Sequence, residues 1–449
     1  MEQIFTKYLD ARLPRYTSYP TAPHFSASVT PEQYRDWLGA IEPDRKLSLY
    51  LHIPFCARMC WYCGCHTKVV NAYAPIASYV ALLRREIEMV AAALAARGQV
   101  SHIHWGGGTP NLLSDDDFSG LMTLLRETFD LTPGAEVAVE VDPRHLDKAQ
   151  ARALAAAGVN RASLGVQDFN DDVQQAINRV QPFEMVEASV AALRGAGIKS
   201  VNFDLLYGLP GQDLVKIERN LRLTAALRPN RIALFGYAHV PWMKKHQRLI
   251  DETALPDGPA RIKQADFAAR MLKFLGYQPI GLDHFALPDD PMVLALEDGG
   301  LRRNFQGYTL DDSDALIGFG ASAIGNLPLG YIQNSPDFVA YAKAIRNERF
   351  AVTRGCELND DDRLRRRAIE DLMCRGKLDL EELCRASGIA NESFDKELAD
   401  LEPLIADGLV EVSGRRITIT DQGRPLVRAV CAVFDRYLEQ SKTRHSRAV

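Results

Sequence analysis

The sequence predicts an α/β fold: a partial (β/α)6 barrel over residues 46–330, an N-terminal arm over residues 1–45 that covers the predicted site, and a mostly helical, winged-helix-like domain over residues 331–449. Short β-branched segments alternate six times with amphipathic stretches, and such units form parallel strands joined by right-handed helical crossovers. Polar residues follow several of these strands, among them Glu140, Gln167 and Asp204. An open doubly wound sheet also fits this alternation, but we favour the barrel because barrels build their sites at the carboxyl ends of the strands.

The barrel units follow one another in order. "LSLYLHI" precedes the helical "IASYVALLRREIEMVAAALAA", and "SHIHW" leads through "GGGTP" to a helix that Ser114 can cap, with Asp115 to Asp117 in its first turn. The next three strands are "EVAVEVDP", "RASLGVQDF" and "SVNFDLLYGLP", each followed by a helical pattern, and "RIALFGYAHVP" is the sixth.

The C-terminal segment changes to helices, a hairpin-like "LVEVSGRRITIT" and a further helix, "PLVRAVCAVFDRYL". Winged-helix units often bind DNA, but this one mixes both charge signs and has no basic stripe. We therefore expect no nucleic-acid partner and interpret the domain as a cover over the barrel mouth.

Composition and targeting signals describe a cytoplasmic protein. The 449 residues are 47% hydrophobic and carry a formal charge of -5, which gives no global reason to expect nucleic acid or anionic lipid. The N-terminus lacks the basic start and apolar run of a signal peptide, and the longest apolar window, "MVAAALAA", is too short to span a bilayer. We expect no membrane partner.

Four cysteines, Cys56, Cys60, Cys63 and Cys65, lie within ten residues in "HIPFCARMCWYCGCHTK". In the reducing cytosol such a cluster indicates metal or redox chemistry rather than disulfides. Structural zinc sites tie together distant segments, which this spacing does not, and a "CWYC" dithiol pair is the other alternative. An iron–sulfur cluster suits one compact loop better, because each thiolate binds its own iron. Cys56-x3-Cys60-x2-Cys63 supplies three ligands and leaves one iron open.

This spacing after the first strand of a partial barrel resembles the radical S-adenosylmethionine superfamily, and the glycine run "GGGTP" after the second strand agrees with it. The resemblance implies a [4Fe-4S] cluster whose open iron binds the amino and carboxylate groups of S-adenosylmethionine. One electron from the cluster then gives a 5'-deoxyadenosyl radical. The barrel is accordingly expected to be of the radical S-adenosylmethionine type.

A closer resemblance rests on "PRYTSYPT", "YLHIPFC", "CGC", "HWGGGTP", "EVDPR", "SLGVQDF", "INRVQP", "DLLYGLPGQ", "FGYAHVPW", "DHFALPDD", "RNFQGYT" and "FGASAI". Together they resemble the oxygen-independent coproporphyrinogen III oxidases of haem biosynthesis. That family converts coproporphyrinogen III to protoporphyrinogen IX by oxidative decarboxylation of two propionates. The resemblance further implies an unidentified electron donor and electron acceptor, and a monomer.

The resemblance also implies roles for individual residues. It assigns Cys56, Cys60 and Cys63 to the cluster, and leaves open the catalytic or structural role of Cys65. Residues expected to contact the S-adenosylmethionine at the cluster are Tyr50, Gly107, Glu140 and Ile324. The family is described with a second S-adenosylmethionine, and the positions matching its surroundings are Tyr62, Gly108, Thr109, Gln167, Arg179, Asp204 and Ala238.

A tetra-anionic porphyrinogen requires cationic partners, since desolvating unpaired carboxylates is costly. The candidates are Arg15, Arg303, Lys244, Lys245 and Arg248, with Tyr16 and Phe305 able to pack on the macrocycle. Two other functions remain open at this level: a haem-binding chaperone of the same superfamily, and a cluster-containing DNA sensor that uses the winged helix.

Overall fold

A 12-stranded sheet organises the computed structural model, which describes residues 7–8, 11 and 13–438. The parts of the predicted arm and C-terminal domain at residues 1–6, 9–10, 12 and 439–449 lie outside the described residues. The strands are β1 Lys46–Ile53, β2 Phe55–Cys56, β3 Lys68–Val69, β4 Gln99–Gly107, β5 Asp130–Val141, β6 Arg161–Gln167, β7 Ser200–Tyr207, β8 Arg231–Gly236, β9 Gln278–Ile280, β10 His284–Ala286, β11 Arg302–Asn304, β12 Gly307–Thr309, β13 Ala315–Phe319, β14 Ile324–Leu327, β15 Gly330–Asn334, β16 Val352–Glu357, β17 Lys377–Asp379, β18 Val410–Ser413 and β19 Arg416–Ile419.

The α-helices lie between these strands and in the C-terminal region. They are α1 Pro31–Gly39, α2 Ala74–Ala93, α3 Asp115–Thr128, α4 Lys148–Ala156, α5 Asp171–Ala176, α6 Phe183–Gly195, α7 Leu214–Leu227, α8 Gly258–Phe274, α9 Pro291–Asp298, α10 Phe338–Arg346, α11 Asp360–Arg375, α12 Leu380–Ser387, α13 Asp395–Asp400, α14 Glu402–Ala406 and α15 Val427–Val433. Within the described part of the chain, no helix is both long and apolar enough to cross a membrane.

Six parallel strands follow one another in the sheet in chain order: β1, β4, β5, β6, β7 and β8. Because their order never reverses, right-handed crossovers place the connecting helices on one face, as in a barrel and unlike a doubly wound sheet. The predicted (β/α)6 arrangement is therefore confirmed. β1 is buried at all but its first position, as expected for a parallel strand covered on both faces.

Local capping follows the predicted pattern. The Ser114 side chain accepts a hydrogen bond from the Asp117 backbone amide and begins α3, whose first turn carries three aspartates. These carboxylates complement the positive end of the helix dipole. α3 thus starts immediately after the glycine run that ends β4, which fixes the position of that run.

The barrel sheet extends further along the chain than the predicted boundary at residue 330. β13 pairs with β1 in parallel, and β14, β15 and β16 continue the sheet as antiparallel neighbours. The helical region begins after β16, with α11. It contains the predicted hairpin as β18 and β19, to which β17 adds a third strand.

The N-terminal arm packs against both parts. Tyr16 and Tyr19 are buried in the core of the C-terminal region, whereas Tyr34 and Trp37 of α1 are buried in the main core of the barrel. The arm therefore joins the C-terminal region to the barrel.

Candidate active site

The cysteine loop leaves β1 at the carboxyl end of the barrel and is fixed on one side by the glycine run. The Gly108 amide donates to the Ile53 carbonyl at 2.8 Å, and the Thr109 hydroxyl donates to Cys56 Sγ at 3.5 Å. A Cβ on Gly108 would lie 2.6 Å from the Phe55 carbonyl oxygen, so only glycine allows this approach of the two backbones. The protein's own packing therefore requires glycine at this position.

The other side of the loop is held by groups from distant parts of the chain. Asn178 Nδ2 donates to the Met59 carbonyl at 2.7 Å. After β8, Lys244 Nζ donates to the Cys65 carbonyl at 2.9 Å, and His246 Nε2 donates to the Cys63 carbonyl at 2.7 Å. Lys244, a candidate for substrate binding, thus contacts the cysteine loop, and sequence reasoning missed His246.

The thiols sit in different electrostatic surroundings. Burial raises the pKa of Cys56 to about 11. The Cys65 thiol hydrogen-bonds Cys63 and lowers the pKa of Cys63 to about 7, while the same contact raises that of Cys65. Cys65 is exposed, in contrast to the buried Cys60. Exposure therefore distinguishes Cys65 from the other three cysteines.

Two arginines approach the Cys60 sulfur. Arg144 Nη2 donates to Cys60 Sγ at 3.6 Å and to Asp142 Oδ2 at 2.6 Å. Arg179 Nη1 donates to Cys60 Sγ at 3.4 Å, and its Nη2 donates to the Gly165 carbonyl at 2.6 Å. Burial alone would raise the pKa of Asp142, but Arg179 and Arg144 hold it well below its usual range. The buried Arg179 and the partly buried Arg144 therefore place positive charge beside the Cys60 sulfur. "EVDPR" contains Asp142 and Arg144, yet nothing in its local pattern signalled this contact.

Glu140 ends its strand facing the glycine run. Its Oε2 accepts from the Gly107 amide at 3.0 Å, and its Oε1 accepts from His104 Nε2 at 3.3 Å. Burial opposes ionisation, but these donors lower the pKa of Glu140 below its ordinary value. The site therefore presents an oriented, ionised carboxylate.

Tyr50 lies beside Glu140 at the same end of the barrel. Its hydroxyl donates to His52 Nδ1 at 3.0 Å, and His52 Nε2 donates to the His66 carbonyl at 3.0 Å. The Phe305 ring packs edge-on to Tyr50, with centroids 4.8 Å apart. Tyr50 pairs with Gly318 of β13, and a Cβ on that glycine would lie 2.5 Å from the Ile324 carbonyl oxygen. The strands thus bring Phe305 and Ile324 to the Tyr50 side of the mouth.

Gln167 is the last residue of β6, and Asp204 lies within β7. Gln167 is buried and has a left-handed backbone with φ +68°, a strained conformation for a side chain of this size. Burial and the nearby charge of Glu140 raise the pKa of Asp204 to about 7. Gln247 Nε2 donates to the carbonyls of both Tyr62 and Ala238, at 2.9 and 3.2 Å. Most of the residues predicted to contact S-adenosylmethionine therefore lie at strand ends or in the loops beside them, whereas Tyr50 and Asp204 lie within β1 and β7 and Arg179 lies between α5 and α6.

Among the predicted substrate residues, Arg303 and Phe305 lie together at β11, whereas Tyr16 lies in the core of the C-terminal region. Arg303 Nη2 donates to the Arg15 carbonyl at 3.5 Å. Tyr16 is buried, and its hydroxyl donates to Asp435 Oδ2 at 3.1 Å. The phenol that was predicted to contact the macrocycle thus packs in the C-terminal core, and its contact with substrate stays a prediction.

The loop offers the ligand chemistry of an iron–sulfur cluster. Cys60 and Cys63 lie near enough to Cys56 that negative charge on them raises the pKa of Cys56. The Arg179 guanidinium donates to the Cys60 sulfur and supplies compensating positive charge. Across the described ranges, no group of three or more His, Cys, Asp or Glu side chains converges closely enough to hold a single metal ion. A cluster does not need such convergence, because each thiolate binds a separate iron. The residues present therefore fit a cluster with three cysteine ligands.

Two family models match the chain. The model described as Radical SAM superfamily matches residues 50–224, and the model described as HemN C-terminal domain matches residues 358–426. The first match contains the second half of β1, the cysteine loop and the barrel strands β4 to β7. The second begins just after β16, where the helical region begins.

Individual relatives match nearly the whole chain. The oxygen-independent coproporphyrinogen III oxidase of Bradyrhizobium diazoefficiens is 51% identical over 446 residues, which cover 99% of each chain. The oxidase of the same name from Paracoccus denitrificans is 44% identical and covers 98% of this chain and 97% of its own. A solved structure of coproporphyrinogen III oxidase from Escherichia coli, described as a radical SAM enzyme, superposes with a TM-score of 0.91 at 40% identity, covering 94% of this chain and 98% of that one.

Proposed function

Since this chain belongs to the family of oxygen-independent coproporphyrinogen III oxidases, we propose that it converts coproporphyrinogen III to protoporphyrinogen IX in haem biosynthesis, turning two propionate side chains into vinyl groups without oxygen. The family resemblance of the motifs is confirmed, and the chain is a radical S-adenosylmethionine oxidoreductase. The observation that carries the proposal is the three-thiol loop at the barrel mouth, with Arg144 and Arg179 donating to its Cys60 sulfur.

The radical S-adenosylmethionine domain implies a [4Fe-4S] cluster and S-adenosylmethionine. We assign the cluster ligands to Cys56, Cys60 and Cys63. When bound, these cofactors supply a carbon-centred radical that removes a hydrogen atom from the β-carbon of a propionate. Arg144 and Arg179 donate to the Cys60 sulfur, and the groups that bind the loop carbonyls hold the thiols in place.

Residues on one side of the mouth suit the S-adenosylmethionine at the cluster. The ionised Glu140 is available to an ammonium group, since a charge-assisted hydrogen bond forms readily with an oriented carboxylate. Gly107 donates to it and Tyr50 lies beside it, and Ile324 lies beside Gly318, the β13 partner of Tyr50. These three residues complete this half of the proposal.

We further propose a second S-adenosylmethionine at Gln167 and Asp204, with Tyr62, Gly108 and Ala238 around it. The strained backbone of Gln167 supports a functional role, because strain of this kind is typical of ligand sites. The Thr109 hydroxyl donates to Cys56, and the Arg179 guanidinium donates to Cys60, Asp142 and Gly165. These two residues therefore act on the cysteine loop, and their contact with a second S-adenosylmethionine stays a prediction.

The test is anaerobic. The protein is reconstituted with iron and sulfide and incubated with a strong reductant, S-adenosylmethionine and coproporphyrinogen III. We expect 5'-deoxyadenosine and vinyl porphyrin to form together, only when substrate is present. 5'-Deoxyadenosine without decarboxylation would show that the substrate is wrong. Haem binding without either product would favour the chaperone.

A further inference from the structure

Three arginines lie together where the barrel meets the C-terminal region: the charge of Arg428 interacts with Arg303 and Tyr207, and that of Arg261 interacts with Tyr207. Arg303 comes from β11, Arg261 from α8 and Arg428 from α15. A Cβ on Gly236, at the end of β8, would lie 2.9 Å from the Tyr207 hydroxyl and 3.2 Å from Arg261 Nη2. Arg261 therefore lies against the carboxyl ends of β7 and β8, the edge at which barrels build their sites.

Arg303 has hydrogen-bond donors that no acceptor uses among the described residues. Its side chain is only 5% exposed, yet its Nε and Nη1 have no hydrogen-bond acceptor among the residues that the structure describes. Asp283 Oδ1 lies 3.9 Å from Nη1, which is too far for a hydrogen bond, and accepts from His284 Nδ1 at 2.7 Å instead. Buried donors of a charged group are costly to leave unpaired, so this geometry points to a ligand.

The surroundings of Arg303 favour an anion. Burial would raise the pKa of Asp283, but the hydrogen bond from His284 and the positive charges of Arg303 and Arg15 lower it to about 2. The Arg428 guanidinium lies close enough to Asp283 and Arg303 for their charges to interact. The guanidinium fork of Arg303 matches a carboxylate, which can accept two parallel hydrogen bonds.

The arginine group is also connected to the barrel mouth. Phe305 follows Arg303 by two residues and lies in the short turn that joins β11 to β12. The Phe305 ring contacts Tyr50 on the strand that enters the cysteine loop. A ligand that contacts both Arg303 and Phe305 therefore reaches from the arginine group towards that loop.

We infer that Arg303, with Arg428 and Arg261, binds a carboxylate of the tetracarboxylate substrate, specifically one that the reaction retains. This inference rests on the proposed function. A retained carboxylate is favoured because decarboxylation converts an anion to neutral CO2, and strong ion pairing stabilises the anion against that loss. The arginine group therefore positions the macrocycle while a different propionate reacts.

The experiment measures coproporphyrinogen III binding to the reconstituted enzyme anaerobically, without reductant, by ultrafiltration and porphyrin fluorescence. Arg303→Gln is expected to weaken binding at least tenfold and to leave iron content and S-adenosylmethionine binding unchanged. Arg428→Gln tests the same site from another helix and is expected to weaken binding at least fivefold. Arg302→Gln is the matched control, since Arg302 Nη1 donates to the backbone carbonyls of Gly299 and Leu301. We expect it to stay within twofold of wild type.

Asp283→Asn separates ligand binding from a structural ion pair. Removing this negative charge from an anion site is expected to preserve or tighten binding, to within twofold of wild type or better. Two results would overturn the carboxylate site: binding by Asp283→Asn as weak as that of Arg303→Gln, or binding by both Arg303→Gln and Arg428→Gln within threefold of wild type. In either case wild-type turnover would still support the proposed function. A wild-type enzyme that neither binds nor decarboxylates coproporphyrinogen III would overturn the proposed function itself.

Discussion

Arg144 bridges Asp142 and the Cys60 sulfur: its Nη2 lies 2.6 Å from Asp142 Oδ2 and 3.6 Å from Cys60 Sγ. The carboxylate fixes the guanidinium in an orientation from which it donates to the thiolate. Hydrogen bonds and positive charge at cluster sulfurs favour the reduced form, which carries one more electron. Arg144 is thus expected to tune the cluster from outside its ligand set.

Arg144→Leu is predicted to make the reduction potential of the cluster more negative by on the order of 50–100 mV, the equivalent of one charge-assisted hydrogen bond. The measurement is a redox titration followed by electron paramagnetic resonance. Arg144→Lys keeps the charge and is expected to recover part of the shift. Arg152→Leu, an exposed position on α4, serves as the control. A potential that is equal in wild type and Arg144→Leu would show that the contact has no electronic effect.

Cys63 and Cys65 are predicted to respond differently to serine. Cys63→Ser removes a proposed ligand and should abolish the visible absorbance of the cluster together with activity. Cys65→Ser should keep the cluster, because Cys65 is exposed and outside the three-ligand spacing. Iron and sulfide per chain after reconstitution measure both outcomes. Loss of the cluster in Cys65→Ser would make Cys65 a ligand and contradict the count of three.

Glu140→Gln is predicted to weaken S-adenosylmethionine binding at least tenfold and leave the cluster intact. The amide keeps the shape of the side chain but lacks the charge that pairs with an ammonium group. Isothermal titration of the reconstituted protein measures the affinity. Glu136→Gln is the matched control, since Glu136 lies on the same strand and pairs with Arg161. Unchanged affinity in Glu140→Gln would place the ammonium group elsewhere.

Gly108→Ala is predicted to lower cluster incorporation by half or more. The added methyl would lie 2.6 Å from the Phe55 carbonyl oxygen, so the start of the cysteine loop must move. Gly64→Ala is the control within the loop, because a Cβ there meets nothing within 4 Å. Iron content after reconstitution reports the difference. Equal iron in the two variants would mean that the loop accommodates the methyl group.

The parts of the site that depend on short sequence segments were predictable. The cysteine spacing, the glycine run and the polar strand ends are local patterns, and the strand order brings them together. Contacts between distant segments were not: Arg144 meets a sulfur 84 residues away, and His246 meets the Cys63 carbonyl 183 residues away. Such contacts depend on side-chain directions that periodicity does not encode.

The boundary at residue 330 shows the same limit within the fold. The short segments "GYIQN" and "VTRGCE" become β15 and β16 because an edge of the barrel sheet is available to pair with them. Strand propensity depends strongly on such partners, so the sequence alone did not place them in the barrel.

Glu86 of α2 is a buried carboxylate behind the barrel, and it predicts a pH-dependent stability. Its Oε1 accepts from Asn334 Nδ2 at 2.6 Å, and its Oε2 accepts from the Gly320 amide at 2.7 Å and the Tyr341 hydroxyl at 2.8 Å. Burial outweighs these donors and raises the pKa of Glu86 to about 7. The folded chain therefore holds this proton at pH values where the unfolded chain has released it.

Because the folded-state pKa is the higher one, stability is lost as pH rises from the unfolded-state pKa towards 7 and is constant above it. Glu86 should lower the free energy of unfolding by about 2–3 kcal/mol between pH 5 and pH 8. Glu86→Gln cannot titrate, so its free energy of unfolding should fall less over this range. Urea unfolding at both pH values measures the difference, with the exposed Glu88→Gln on the same helix as the control. If wild type and Glu86→Gln lose equal stability over this range, Glu86 is already ionised in the folded protein at pH 5.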